Sequence, residues 1–280
     1  MDEMNNNVSN KKDDIQSVDT NHTFAVCAYK ESPYLEECIK SLKSQTVKSN
    51  VAIYTSTPND HISDIGKRYK VPVYVNETGS HGIQADWNFA YNSASTDFVT
   101  VAHQDDTYDK DYVKMFLQLS SQYEDWTIFY PDYTPIKNGD CSKRDINSHI
   151  RRFLRWPVKN TGKADKRWRK RASLCLGNTI VCPLVTYNKK TLGENVFTSE
   201  YGFNLDWDTF YKLACMPGRF LYMDKVLGHY RVHDGATSMD FIENHKREIE
   251  DTSMFEKFWP KWLVRVIMVF YKKAYDTYSK

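Results

Sequence analysis

Phe98-Val-Thr-Val-Ala-His-Gln-Asp-Asp106 joins an apolar run to two carboxylates, and the rest of the chain falls into place around that junction. Phe98 to Ala102 are small or apolar and, led in by Ser95-Thr96-Asp97, read as a buried inner strand of a parallel sheet covered on both faces. The strand runs straight into His103, Gln104, Asp105 and Asp106, with Thr107 and Tyr108 following. In open α/β sheets ligands bind just beyond the carboxyl ends of the strands, where these two aspartates fall. Adjacent carboxylates repel, and each raises the other's pKa unless positive charge lies beside them. A divalent cation that keeps most of its coordination for phosphate oxygens and water supplies that charge. The plainer alternative is a solvated Asp-Asp turn or a helix N-cap, so the neighbouring sequence has to decide.

Upstream, strand and helix alternate. Thr23-Phe-Ala-Val-Cys-Ala28 is a first buried strand. Ser32 is then a candidate N-cap with Pro33 at the first helical position. Leu35, Cys38, Ile39 and Leu42, spaced i, i+3, i+4, i+7, make one apolar helix face. Val51 to Thr55 is a second strand, Ile62 to Tyr69 a helix and Val71 to Val75 a third strand. Gly79-Ser-His-Gly82 lacks the G-x-G-x-x-G spacing and does not follow the first strand, so it reads as a turn and not as a dinucleotide fingerprint. It leads into a helix with Trp87, Ala90, Tyr91 and Ala94 on one face. This alternation, from residue 23 to about 123, predicts right-handed βαβ units and a parallel sheet.

Downstream the pattern loosens. Ile128 to Asp132 reads as another strand. From Lys143 to Arg171 twelve Lys or Arg residues face only Asp145 and Asp165, with Phe153, Trp156 and Trp168 interleaved. Such a run is a solvated face, or it meets an anionic headgroup surface or a phosphate-bearing substrate. No nucleic-acid module surrounds it, which ranks RNA last. Cys175 to Pro183 reads as a strand entering a turn. Gly202-Phe-Asn-Leu-Asp-Trp-Asp208 opens a helix with Trp207, Phe210, Tyr211 and Ala214 on one face, its Asp206 and Asp208 placed to complement the helix dipole. Phe220 to His233 alternates like a sheet edge and delivers His233 and Asp234 to a loop with Gly235, Thr237 and Ser238. Pro260 starts a last helix, Trp262 to Tyr271, which is too short for a membrane span of roughly 20 residues. It packs on the domain or a second subunit, or lies in a membrane interface.

The 280 residues can bury a full core, and a hydrophobic content of 41% with a net charge of +2 describes an ordinary globular protein. Six cysteines without C-x-x-C spacing read as reduced thiols of a cytoplasmic protein and argue against zinc. Met1 to Asn21, polar and Asn-rich, reads as a disordered tail with no apolar signal segment.

Taken together, these stretches resemble the family 2 glycosyltransferases over roughly residues 22 to 240. Ala25-Val-Cys-Ala-Tyr-Lys-Glu-Ser-Pro-Tyr-Leu-Glu-Glu-Cys-Ile-Lys-Ser-Leu-Lys-Ser-Gln-Thr46 is similar to that family's first strand and helix. Ala85-Asp-Trp-Asn-Phe-Ala-Tyr-Asn-Ser-Ala94 resembles the helix before its metal motif, and His103-Gln-Asp-Asp106 sits where the family carries D-x-D. Leu205-Asp-Trp-Asp208 resembles the E-D acceptor motif and Tyr230-Arg-Val-His233 the Y-R-x-H ending. His103 stands in place of the first aspartate, and Leu205 in place of the glutamate before the base.

The resemblance implies an α/β, GT-A (Rossmann-like) fold: a mixed, mostly parallel sheet flanked by helices, with a C-terminal helical extension. It implies a domain at 22–240, with a nucleotide-sugar half at 22–125 and an acceptor half at 126–240 that holds the basic segment 143–171. Residues 1–21 are then a tail and 241–280 the extension. The implied reaction is an inverting sugar transfer from a nucleotide-diphosphate sugar, a UDP-sugar by preference, with Mn²⁺ or Mg²⁺. Asp206 matches the catalytic base, with Asp208 as the fallback. Asp105 aligns with the metal ligand, joined by Asp106 and His233. The nucleotide sugar falls to Ala28, Tyr29, Glu31, Thr55, Asp86, Asn88, His103, Gln104, Asp106 and Arg231. The implied partner is a saccharide or lipid-linked acceptor; the basic segment and the last helix point to peripheral contact with the inner face of the cell membrane, no nucleic acid is expected, and a homo-oligomer stays open. Inactive sugar binding in the same fold, or an adaptor docking membrane or RNA through the basic segment, is the alternative.

Overall fold

Phe24, Val26 and Ala28 point to one side of the sheet and Ala25 to the other, so the continuous apolar strand β1 (His22–Ala28) feeds two cores at once. The computed structural model describes residues 20–137, 140–141, 146–233 and 246–275. The expected tail at 1–19, the charges Lys143, Arg144 and Asp145, and the loop Asp234 to Ser238 lie outside the described residues, as does the side chain of Cys141.

β1 pairs in parallel with β2 (Asn50–Thr55) on one side and β4 (Phe98–His103) on the other, and β3 (Val73–Val75) extends the sheet from β2. The strand order reverses between β1 and β4, which opens a crevice at their carboxyl ends. Cys27 is level with His103, so Tyr29 and Gln104 emerge side by side. Beyond β4 the sheet becomes mixed. Its full order is β3-β2-β1-β4-β8-β6-β9-β5, from β5 (Thr107–Tyr108), β6 (Trp126–Lys137), β8 (Thr186–Asn188) and β9 (Arg219–Val232), with β7 (Asp140–Cys141) paired to β6. β9 runs parallel to β6 and antiparallel to β5.

On one face pack α1 (Leu35–Lys43), α2 (Asp60–Tyr69) and α4 (Tyr112–Ser120). The other face carries α3 (Ile83–Ser93), α9 (Leu205–Cys215), α10 (Lys246–Glu256) and α11 (Lys261–Tyr275). Gly82, at φ 104°, turns the chain into α3 through a conformation that side chains disfavour. At the other end of α3, Lys189 Nζ donates to the Asn92 and Ala94 carbonyls, satisfying groups that the last turn leaves open.

Several expectations need correction. Ser32 is not an N-cap: α1 begins at Leu35 with Tyr34 at the cap position, and the Ser32 hydroxyl accepts the Tyr34 N–H while donating to Asp105. Cys175 to Pro183 forms no strand. Gly177, at φ 135°, turns the chain, Asn178 Oδ1 accepts the Ile180 N–H, and the strand β8 starts only at Thr186. β9 is an edge only where the two-residue β5 does not reach it.

The basic segment is not simply a solvated face. It folds into α5 (Ile146–Leu154), α6 (Trp156–Lys159) and α7 (Arg167–Ala172), and two of its cations are wholly buried. Arg155 Nη2 meets Asp132 Oδ1 at 2.6 Å inside the protein, while its Nη1 donates to the Thr179 carbonyl. Lys170 Nζ donates to the carbonyls of Met216 and Gly218 at 2.7 and 2.6 Å. Val264 and Met268 of α11 pack on the domain, and Trp262, Val266, Val269 and Phe270 stay exposed. No described helix is long and apolar enough to cross a membrane.

Removing Arg155 takes from the buried Asp132 its closest cation and leaves Arg152 Nε, 3.6 Å away, as a more distant one. Arg155→Ala should therefore lower the unfolding free energy by about 3–5 kcal/mol in urea titrations, far beyond the few tenths expected of an exposed cation.

Candidate active site

The end of β4 sends its two aspartates in opposite directions. Asp106 is 2% exposed, and its Oδ1 accepts the Arg231 backbone N–H at 2.8 Å. Burial pushes its carboxyl up to about 8. Asp105 faces the crevice. Its Oδ1 accepts from the Ser32 hydroxyl at 2.8 Å, and its Oδ2 lies 3.5 Å from His233 Nε2. Arg231, delivered by β9, ties the corner together. Its Nε donates to the Asp105 carbonyl, its Nη2 to Glu37 of α1, and its guanidinium lies 4.3 Å from the Tyr34 ring centroid. The His233 ring lies tilted to that of Tyr34, with centroids 5.0 Å apart.

His103 lies flat on Trp87 with ring centroids 4.9 Å apart, and burial lowers its pKa to about 4. Its Nε2 is buried without a hydrogen-bond partner, so a neutral imidazole edge waits for a polar group. Gln104 exchanges two 3.0 Å hydrogen bonds with the Tyr29 backbone, fixing the β1 terminus and leaving the Tyr29 ring about half exposed. Asp86, on α3, accepts from Ser56 and Asn76 at the ends of β2 and β3. Ala28 and Thr55 are buried at their strand ends, where Thr55 Oγ1 accepts the Thr57 N–H, and Glu31 is exposed. Both ends of the Asn88 amide are committed to the Phe197 backbone.

The third corner is the start of α9. Asp206 Oδ2 accepts from Asn178 Nδ2 at 2.7 Å and its Oδ1 from the Trp207 N–H. Because Asn178 Oδ1 takes the Ile180 N–H, the amide can only donate toward Asp206. Burial pushes the Asp206 carboxyl up to about 6 against those donors and the field of Arg151. Asp208, two residues on, is instead locked between Lys257 and Lys212. The loop before α9 is held from the C-terminal side, where Glu250 accepts the N–H groups of Gly202, Phe203 and Asn204 at 2.8–3.0 Å. Tyr230 joins the corners: after burial, the charges of both Asp106 and Asp206 help raise its pKa.

The structure thus gathers Asp105, Asp106, Arg231, His233, His103 and Gln104 and sets Asp206 across from them. Ser32, Glu37, Trp87, Asn178 and Glu250 escaped sequence reasoning. Ser32 reads there as a helix cap and Asn178 as part of a strand entering a turn, and neither reading points to a carboxylate partner. Among the described residues no group of three or more His, Cys, Asp or Glu side chains is arranged to hold a metal ion by itself.

Compared with known proteins, the chain matches the family model for Glycosyl transferase family 2 over residues 23–175, more than half its length. No curated protein matches it in sequence. Among solved structures it is similar to S. aureus TarS 1–349, with a TM-score of 0.57 and 16% identity, covering 88% of this chain and 69% of that one. It spans 42% of the longer S. aureus TarS structure. TarS 1–349 has also been crystallised with UDP-GlcNAc and with UDP. The mannosyltransferase PcManGT from Pyrobaculum calidifontis, in complex with GDP-Man and Mn²⁺, has a TM-score of 0.55 and 16% identity, covering 85% of this chain and 63% of that one. At such identities the likeness to solved structures is one of fold.

Glu250 provides a test of how the Asp206 helix is held. Losing three charge-assisted bonds in Glu250→Ala should cost about 2–4 kcal/mol in chemical unfolding. It should also slow turnover at least tenfold in a transfer assay, with nucleotide affinity little changed.

Proposed function

The chain belongs to glycosyl transferase family 2, and from that premise we propose an inverting, metal-dependent sugar transfer from a nucleotide-diphosphate sugar to a saccharide or lipid-linked acceptor. A UDP-sugar is the preferred donor, and the place of work is the inner face of the cell membrane, in the synthesis of a surface polysaccharide. The reading is carried by two carboxylates with different environments at one crevice. Both are half-buried: Asp105 lies 3.5 Å from an imidazole nitrogen, while desolvation raises the Asp206 carboxyl to about 6.

Asp105 and His233 suit Mn²⁺ or Mg²⁺. One carboxylate oxygen and one imidazole nitrogen lie close enough to share an ion, which would draw its other ligands from phosphate and water. Asp106 suits it less, since its Oδ1 is already engaged by the Arg231 amide. Bound there, the cation supplies positive charge to the departing diphosphate. Ser32 and Arg231 orient Asp105 from either side. His103, whose buried Nε2 has no hydrogen-bond partner, is assigned to the donor sugar, the exposed Tyr29 ring to the base and Asp86 to the nucleoside.

Asp206 takes the proton from the acceptor hydroxyl. With its carboxyl near 6 it is ionised at neutral pH yet remains basic enough to accept that proton. Asn178 is a positioning residue that holds Oδ2 in place.

Thermal unfolding with nucleotide diphosphates and their sugars, each with Mn²⁺ or with EDTA, tests donor and metal together. A ligand at about 100 times its dissociation constant adds roughly 2.7 kcal/mol of stability. Metal-dependent stabilisation by one nucleotide, lost in Asp105→Asn, is expected, and silence across the whole panel would overturn the proposal. Binding without transfer to any acceptor would instead favour the inactive sugar-binding reading, which the His103 and Leu205 departures motivate.

Asp206→Asn should lower kcat by about 10²–10⁴-fold. Wild-type kcat should fall as pH drops below about 6, and Asn178→Ala, which removes a donor to the carboxylate, should move that limb to higher pH. The stability sign is opposite to the activity sign. A carboxyl raised by folding contributes stability that is lost as pH rises through about 6, so Asp206→Asn should be more stable than wild type at pH 8 by about 1–2 kcal/mol and lose that advantage by pH 4.

A further inference from the structure

Helices α5 to α7 invert the usual rule for a soluble surface. Their Arg155 and Lys170 are fully buried, while Phe153, Trp156 and Trp168 are 77%, 70% and 62% exposed. The inward charges are bonded in place by Asp132, Thr179, Met216 and Gly218, so the outward aromatic rings sit on an anchored platform. Trp156 and Lys159 line two adjoining hollows, one reaching Phe153 and the other Lys163 and Arg169. The Arg169 guanidinium lies 4.7 Å from the Trp168 ring centroid, which continues the face to its third aromatic. Among the described residues no carboxylate pairs with Lys163, Arg167 or Arg169, whereas Lys159 is paired with Asp224 and Lys166 with Asp165. The face therefore sets exposed aromatic rings beside surplus positive charge, and the one carboxylate lining the first hollow, Asp224, is neutralised by Arg152 and Lys159.

We propose that the outer face of α5 to α7 docks on a bilayer carrying anionic headgroups, with Phe153, Trp156 and Trp168 entering the interface and Lys163, Arg167 and Arg169 meeting the lipid phosphates. Large amphipathic rings settle at the headgroup level of a bilayer, and basic side chains beside them add attraction to anionic lipid. A protein partner would be matched by the aromatics alone, and a soluble polyanion by the cations alone. The combination on one anchored face fits a charged interface. The inference deepens the membrane part of the proposed function and is independent of its transferase part. It assigns the contact to this platform instead of the exposed row on α11.

The test is co-sedimentation of the full chain with phosphatidylcholine vesicles, with and without about one-third phosphatidylglycerol. The expected result is binding to the anionic vesicles and little to the neutral ones. Phe153→Ser/Trp156→Ser/Trp168→Ser should lower the partition more than tenfold, and Lys163→Gln/Arg167→Gln by about fivefold per cation removed. Both variants should keep wild-type thermal unfolding. If the triple variant fails to fold, the two-cation variant decides alone. Wild-type binding that survives both variants, or that is lost only in Trp262→Ser/Phe270→Ser of α11, overturns the proposal while leaving a membrane contact in place. Equal binding to neutral vesicles overturns its anionic basis. No binding to either vesicle ends both the proposal and the membrane part of the function. Transfer to a soluble acceptor is read separately in every variant.

Discussion

Two neighbouring carboxylates cannot share one environment cheaply, and the placement of Asp105 and Asp106 organises the molecule. Asp106 turns inward to a backbone N–H, and Asp105 turns out to the crevice. The same Arg231 provides the inner amide, holds the Asp105 carbonyl and reaches Glu37, a residue 194 positions away. Satisfying this one pair of carboxyl groups docks β9 and α1 on the end of β4. The crevice is thus bounded by both halves of the chain.

The far wall is built with the same economy. Two carboxylates open α9, and the structure separates them as it does the first pair. Asp208 is consumed by two lysines, while Asp206 accepts from the amide of Asn178 and from the Trp207 N–H of its own helix. That difference leaves Asp206 the carboxylate of the pair that is not held by a lysine among the described residues. The helix carrying it is set by Glu250, so α10 belongs to the machinery of the site. Where the family resemblance leads one to look for a glutamate, Leu205 is buried in the core.

The basic segment shows how composition misleads when burial is unknown. Twelve cations in 29 positions suggest a uniform charged surface, yet two of them are interior fasteners and several others are paired. Turning Arg155 and Lys170 inward leaves the aromatic side chains of the same short helices facing out. A run that reads as electrostatic therefore becomes an amphipathic platform.

By itself, the sequence determined what neighbours along the chain can encode. The strand ending at His103, the alternation before it, the apolar face of α1 and the aspartates opening α9 follow from local periodicity and composition. The quoted motifs carried the family resemblance, which the family match then showed. Strand ends and helix starts are also where ligands collect, so most candidate site residues were legible too. Only the tertiary structure decided which aspartate of each pair is open, that Ser32 serves Asp105 and not a helix, that Asn88 braces Phe197, and that Asn178 and Glu250 support Asp206. Each of these depends on a partner far along the chain. No periodicity records such a partner, because the contact exists only once the sheet has brought the two ends together.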